Sequence, residues 1–225
     1  GFFALVGLVR TLPSLPPLPR LAVNGISSLI RLPKLRIGLV YIVLMLVAHF
    51  SAYTFVAPFL EESAAITGSL LSAFLLAYGI AGFAGNWLGG WYAGKNLTKA
   101  IAIAATGMTL SLASLMFSNS NGISLLGIVG WGMFFGTLPI TTQLYVFNAA
   151  PYQKENIAAI SVSIGQVSIA VGAFTGGLAV DYYDVTGAIL LGVALALALA
   201  AMAVYIAIRE AQFATRMPSP EFPNG

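Results

Sequence analysis

Apolar residues run through this chain in long blocks, and polar positions gather in the gaps between them. Six blocks are long enough to cross a bilayer, which takes about 20 helical residues. They cover residues 37–59, 67–93, 98–117, 123–147, 157–180 and 188–208. Short segments of alternating polarity, the mark of a membrane barrel, are absent. The pattern predicts an all-α polytopic membrane protein whose six-helix bundle occupies residues 37–208.

Composition sharpens this. The 225 residues are 59% hydrophobic and 8% charged, with a mean hydropathy of +0.92. A soluble domain carries about 25% charged residues, so this surface must face lipid. No cysteine is present, which removes disulfides and Cys-based metal or redox sites.

The few charges orient the bundle. Arg10, Arg20, Arg31, Lys34 and Arg36 precede the first span, Lys95 and Lys99 lie at the second connection, Lys154 between the fourth and fifth spans, and Arg209 and Arg216 after the sixth. With six spans all ten fall on one side. The opposite connections hold no Lys or Arg, and carry Glu61, Glu62, Asp181 and Asp184. The positive-inside rule then expects a multi-pass protein of the plasma (inner) membrane with both ends cytoplasmic. The net charge of +3 reads as a topology signal, with no nucleic-acid partner implied.

The flanks suggest more chain. Residues 1–9, GFFALVGLV, are too short to span and lack the basic region of a signal peptide. They read either as an interfacial segment or, our expectation, as the cytoplasmic end of a preceding transmembrane helix. Residues 10–36 hold five prolines and five basic residues and read as a cytoplasmic surface linker, with 209–225 as a cytoplasmic tail. A six-span scaffold, or a non-functional transporter fragment, is the rival reading if the gene encodes only this half.

An internal repeat divides the bundle. The second span contains Gly85, Gly89 and Gly90, and the fifth contains Gly172, Gly176 and Gly177 at the same spacing, 87 residues further on. Either two Gly-rich helices match by coincidence, or, our expectation, the halves correspond as three plus three; because three is odd the second triplet is then inverted. Inverted repeats of this kind build two access states around one site in secondary transporters. Glycines at i and i+4 let helix backbones approach closely; tight packing alone, or smooth faces that rock, both fit.

No Asp, Glu, Lys or Arg lies mid-span, so an intramembrane carboxylate for ion coupling is missing. His49 is the titratable candidate, near the middle of the first span, with Tyr53 one turn on. Either a backbone carbonyl satisfies it or it lines a cavity. Tyr78, Asn86, Gln143 and Gln166 are the other polar candidates, each expected to point inward because a polar group in lipid is costly. The chain has no Ser–His or paired-Asp arrangement for intramembrane proteolysis, and one His cannot ligate zinc. Neither an enzyme nor a cofactor is expected.

Three stretches resemble the major facilitator superfamily, nearest its drug–proton antiporter branch and the arabinose and sugar efflux permeases. AHFSAYTFVAPFLEE (48–62) is similar to the seventh span of those permeases. GNWLGGWYAGKNLTKA (85–100) is similar to the second copy of the loop motif G-x-L-A-D-R-x-G-R-R, and GQVSIAVGAFTGGLAVD (165–181) to the eleventh span. Gly90, Ala93, Lys95 and Lys99 match the loop motif, whereas Gly94 stands where its aspartate belongs. Ala173 replaces the antiporter motif's proline, so no proline kink is expected there. The resemblance implies the C-terminal half of a twelve-helix carrier, partnered by an N-terminal half and the lipid bilayer. Its first and fourth spans would line the cavity. It implies secondary active efflux of a small-molecule substrate, a sugar or drug, by proton antiport. Drive would come from the other half, with help from His49, whose ordinary pKa of about 6.5 is close to physiological pH.

Overall fold

The computed structural model describes residues 23–117 and 120–216. Among them every regular element is helical: α1 (Val23–Ile30), α2 (Pro33–Tyr53), α3 (Val56–Ala64), α4 (Gly68–Lys95), α5 (Leu97–Leu115), α6 (Asn121–Phe147) and α7 (Lys154–Arg216), with a 3-10 turn at Pro151–Gln153. Five of them are long and apolar enough to cross a membrane. The sixth crossing lies inside α7. Tyr183 and Asp184 leave helical geometry, Asp184 at a φ of 59°. On either side of this break, Gly176 packs on Ser51 and Gly192 on Ala48 and Ala52. Both contacts sit at one level of α2, so the chain doubles back between them. The Thr186 N–H donates to Asp184 Oδ1 at 2.9 Å, capping the returning arm. Residues 154–182 and 185–216 thus form two antiparallel arms, the expected fifth and sixth spans.

Three boundaries differ from the sequence expectation. The first span does not run unbroken over 37–59: α2 ends at Tyr53 and α3 begins at Val56. Pro58 explains the break, since its ring lacks an N–H and clashes with the carbonyl four residues back, at Thr54. The 10–36 linker is partly helical, containing α1, and Pro33 opens α2 at its first turn, where a missing N–H costs nothing. At the other end the helix continues past 209 to Arg216. The expectations for residues 1–9, for 10–22 and for the tail beyond 216 lie outside the described residues.

Packing exchanges the leading helices of the two triplets. The α2 helix packs most extensively against α7, the fifth and sixth spans, while α6 packs against α4 and α5. Glycines set the contacts. A methyl on Gly85 would overlap the Met133 carbonyl, and one on Gly89 would come within 2.6 Å of the Thr137 side chain. In the second triplet Gly172 faces Val47 at 3.0 Å and Gly176 abuts the Ser51 carbonyl. Val47 and Ser51 precede Met133 and Thr137 by 86 residues, so the same contact is made twice. The three-plus-three repeat is therefore present in the packing. Gly90 and Gly177 have room, their nearest neighbours 3.8 and 3.6 Å from an added Cβ.

One end of the bundle collects the base-rich connections. There Lys34 Nζ pairs with Glu210 at 2.9 Å and lies 5.1 Å from the Tyr145 ring centre. That joins the start of α2 to the ends of α6 and α7. Glu61, Glu62, Asp181 and Asp184 stand at the opposite end of their helices, as six crossings require.

Candidate functional site

The α2–α6 crossing builds an aromatic cluster. His49 is buried, 2% exposed, one turn before α2 ends and near the middle of the 37–59 span that α2 and α3 make together. Its ring stacks on Phe135 of α6 with centres 3.3 Å apart and planes at 5°, and on Tyr53 at 5.0 Å and 20°. Trp131 of α6 and Phe50 meet it edge-on at 5.3 and 4.8 Å. From α4, the Tyr78 hydroxyl lies 3.4 Å from His49 Nε2. Tyr53 and Tyr78 also face each other at 5.1 Å.

Two polar atoms in this cluster are buried without a partner: His49 Nδ1 and Trp131 Nε1. Leaving such a group unpaired costs about 1–3 kcal/mol. Pro139 lies inside α6 and has no N–H to donate to the Phe135 carbonyl four residues earlier. The cluster therefore combines flat aromatic faces with uncommitted donors and acceptors, which suits a ligand having a ring and hydroxyl or amide groups.

Its position follows from the repeat. Phe135 stands 86 residues after His49, the interval that carries Val47 onto Met133. Residues related by a two-fold axis that also touch must lie beside that axis. An axis relating inverted repeats lies in the membrane plane, near the bilayer centre, where transporter sites of this construction are found.

The six candidate side chains separate into three groups. His49, Tyr53 and Tyr78 converge in the cluster. Gln143 and Gln166 line a cleft of about 260 Å³ between α2, α6 and the first arm of α7, together with Met45, Pro139, Thr142 and Ser161. Ser161 Oγ there is buried and unpaired. Asn86 stands apart, exposed on α4. Of the motif residues, Gly85, Gly89, Gly172 and Gly176 make the close contacts described above, and Lys95 Nζ sits 3.7 Å above the Trp91 ring centre. Sequence reasoning missed Phe50, Trp131 and Phe135; the 86-residue interval points to Phe135 once the helix contacts are known. Among the described residues no group of His and acidic side chains could hold a metal ion.

Comparison with known proteins bears on what such a site serves. No family model matches the chain. The purine ribonucleoside efflux pump NepI of Escherichia coli O1:K1 is 26% identical over 192 residues, 85% of this chain and 48% of the pump. That of Salmonella paratyphi B is 25% identical over 184 residues, 81% of this chain and 46% of the pump. The chain is similar to bacterial efflux pumps. It spans about half the length of these curated relatives. They are named as transporters and not as enzymes, which fits a non-enzymatic membrane protein.

Proposed function

We propose that this chain is one half of a secondary active efflux carrier of the major facilitator type, an antiporter that exchanges a small organic solute for protons across the plasma membrane. The observation that carries the reading is the His49–Phe135 stack beside the axis of two inverted triplets. A site there is reachable from either face if this six-helix bundle rocks as a unit against the other half of the carrier. The solute expected from sequence was a sugar or a drug-like compound. A purine ribonucleoside, named for the relatives, is a sugar bearing a flat aromatic base, so it belongs to the same chemistry. Tyr53 and Phe135 offer faces for the base, and Gln143, Gln166 and Ser161 offer hydrogen bonds for hydroxyls. The described helices hold no acid at mid-span, so the proton-carrying carboxylate is assigned to the other half.

Everted membrane vesicles carrying the complete protein test this. Radiolabelled inosine should accumulate when a pH gradient is imposed and leak away on adding a protonophore. Accumulation of neither inosine, a pentose nor a cationic dye above control vesicles would overturn the reading.

A further inference from the structure

On the flank of the bundle remote from the aromatic cluster, α4 and α5 diverge as they leave their shared turn. Both pack on α6, through Gly89 against Thr137 and Gly107 against Phe134, and touch each other little. The gap between them is a cleft of about 270 Å³, walled by Leu88, Trp91, Tyr92 and Ile103 and floored by Met133 and Phe134. Small residues, Ala100 and Ala104, keep it open. Its walls are almost wholly apolar, and Trp91 and Ile103 are 61% and 52% exposed, so the cleft opens sideways toward hydrocarbon.

The mouth has a different chemistry. It lies at the α4–α5 turn, at the end of the bundle that carries the basic side chains. Lys95 Nζ sits 3.7 Å above the ring centre of Trp91, which lines the cleft. Lys99 follows one residue before Ala100 of the lining and is exposed. Neither lysine forms an ion pair among the described residues. Asn96 Oδ1 caps α5 by accepting from the Lys99 N–H, and the remaining N–H groups of that first turn add positive potential. An apolar slot with an unneutralised cationic rim matches one kind of molecule in a membrane. We propose that the cleft binds an anionic glycerophospholipid, with an acyl chain between α4 and α5 and the phosphate at Lys95 and Lys99.

The test uses the complete carrier in phosphatidylcholine vesicles containing phosphatidylglycerol brominated on its acyl chains, or brominated phosphatidylcholine at the same mole fraction. Bromine quenches nearby tryptophans, and the difference between wild type and Trp91→Phe isolates Trp91. Its quenching should favour the anionic lipid, and Lys95→Gln and Lys99→Gln should each lower that preference about fivefold. Lys154→Gln, at the same end but away from the cleft, should leave it unchanged. Soluble glycerol phosphate, which has the headgroup charge but no chain, should not compete. Equal quenching by both lipids overturns the proposal. So does an equal effect of Lys154→Gln, which would mean surface potential alone, or full competition by glycerol phosphate, which would mean an anion site without a chain.

Discussion

Thr109 donates a hydrogen bond to the Ala196 carbonyl at 2.8 Å, and the two residues stand 87 positions apart, the interval that separates Gly85 from Gly172. The third helix of one triplet thus meets the third helix of the other at equivalent points, a second contact beside the axis that passes near His49 and Phe135. The same hydroxyl also reaches the Ala105 carbonyl, at 2.8 Å. Thr109→Val removes the interhelical bond while keeping shape, and should destabilise the detergent-solubilised protein by about 0.6 kcal/mol, read as a lower thermal midpoint. Thr109→Ser should restore most of it. A valine variant as stable as wild type would show that the bond contributes nothing.

Adjacent glycines give an internal control on helix approach. Gly85→Ala and Gly176→Ala place a methyl against backbone carbonyls and should cost about 1–3 kcal/mol each. Gly90→Ala and Gly177→Ala, where the added carbon meets its nearest neighbours at an ordinary 3.8 and 3.6 Å, should behave like wild type. Monodisperse yield after solubilisation measures both. Equal yields for all four would refute the packing assignment.

Within the aromatic cluster, His49→Phe keeps a ring against Phe135 but removes both nitrogens, and Tyr78→Phe removes the hydroxyl facing Nε2. Both should reach the membrane at normal levels and lose at least about tenfold in solute efflux, since one hydrogen bond to a substrate group is worth roughly that factor. Normal efflux by both variants would leave the cluster a packing core only.

Membrane sidedness follows from the basic and acidic ends. Single cysteines at Ser63, Ser120 and Thr186 should react with an impermeant thiol reagent on intact cells, and those at Asn96 and Gln153 only after permeabilisation. Labelling of Asn96 from outside would invert the assignment.

The crossings and the glycine contacts were readable in the chain because each rests on one helix's own composition: twenty apolar residues, or small residues every fourth position. The reversal at Tyr183–Asp184 was bracketed correctly by two acids between apolar blocks. The break at Thr54–Phe55 was missed although Pro58 encodes it, because apolar residues continue past the proline. The cluster was half legible. His49 and Tyr53 share a helix face and can be paired by counting, whereas Trp131 and Phe135 join them only through the crossing of two helices distant in sequence. Asn86, like Gln143 and Gln166, is exposed on this bundle; one helix's pattern does not say what its outer face will meet.

The exchange of leading helices sets the order in which the bundle can be made. The surface of α2 around Ser51 finds its companion only when Gly176 emerges, 125 residues later. At about 5–20 residues per second of synthesis, that is a wait of roughly 6–25 s with a glycine-matched face unclaimed in the bilayer. During that interval the crossing with α6, where His49 meets Trp131 and Phe135, is the contact α2 already has within this bundle. Biogenesis of this bundle is therefore completed by its last two helices, and a ribosome stalled before residue 176 leaves the leading helix without the neighbour it packs against most extensively.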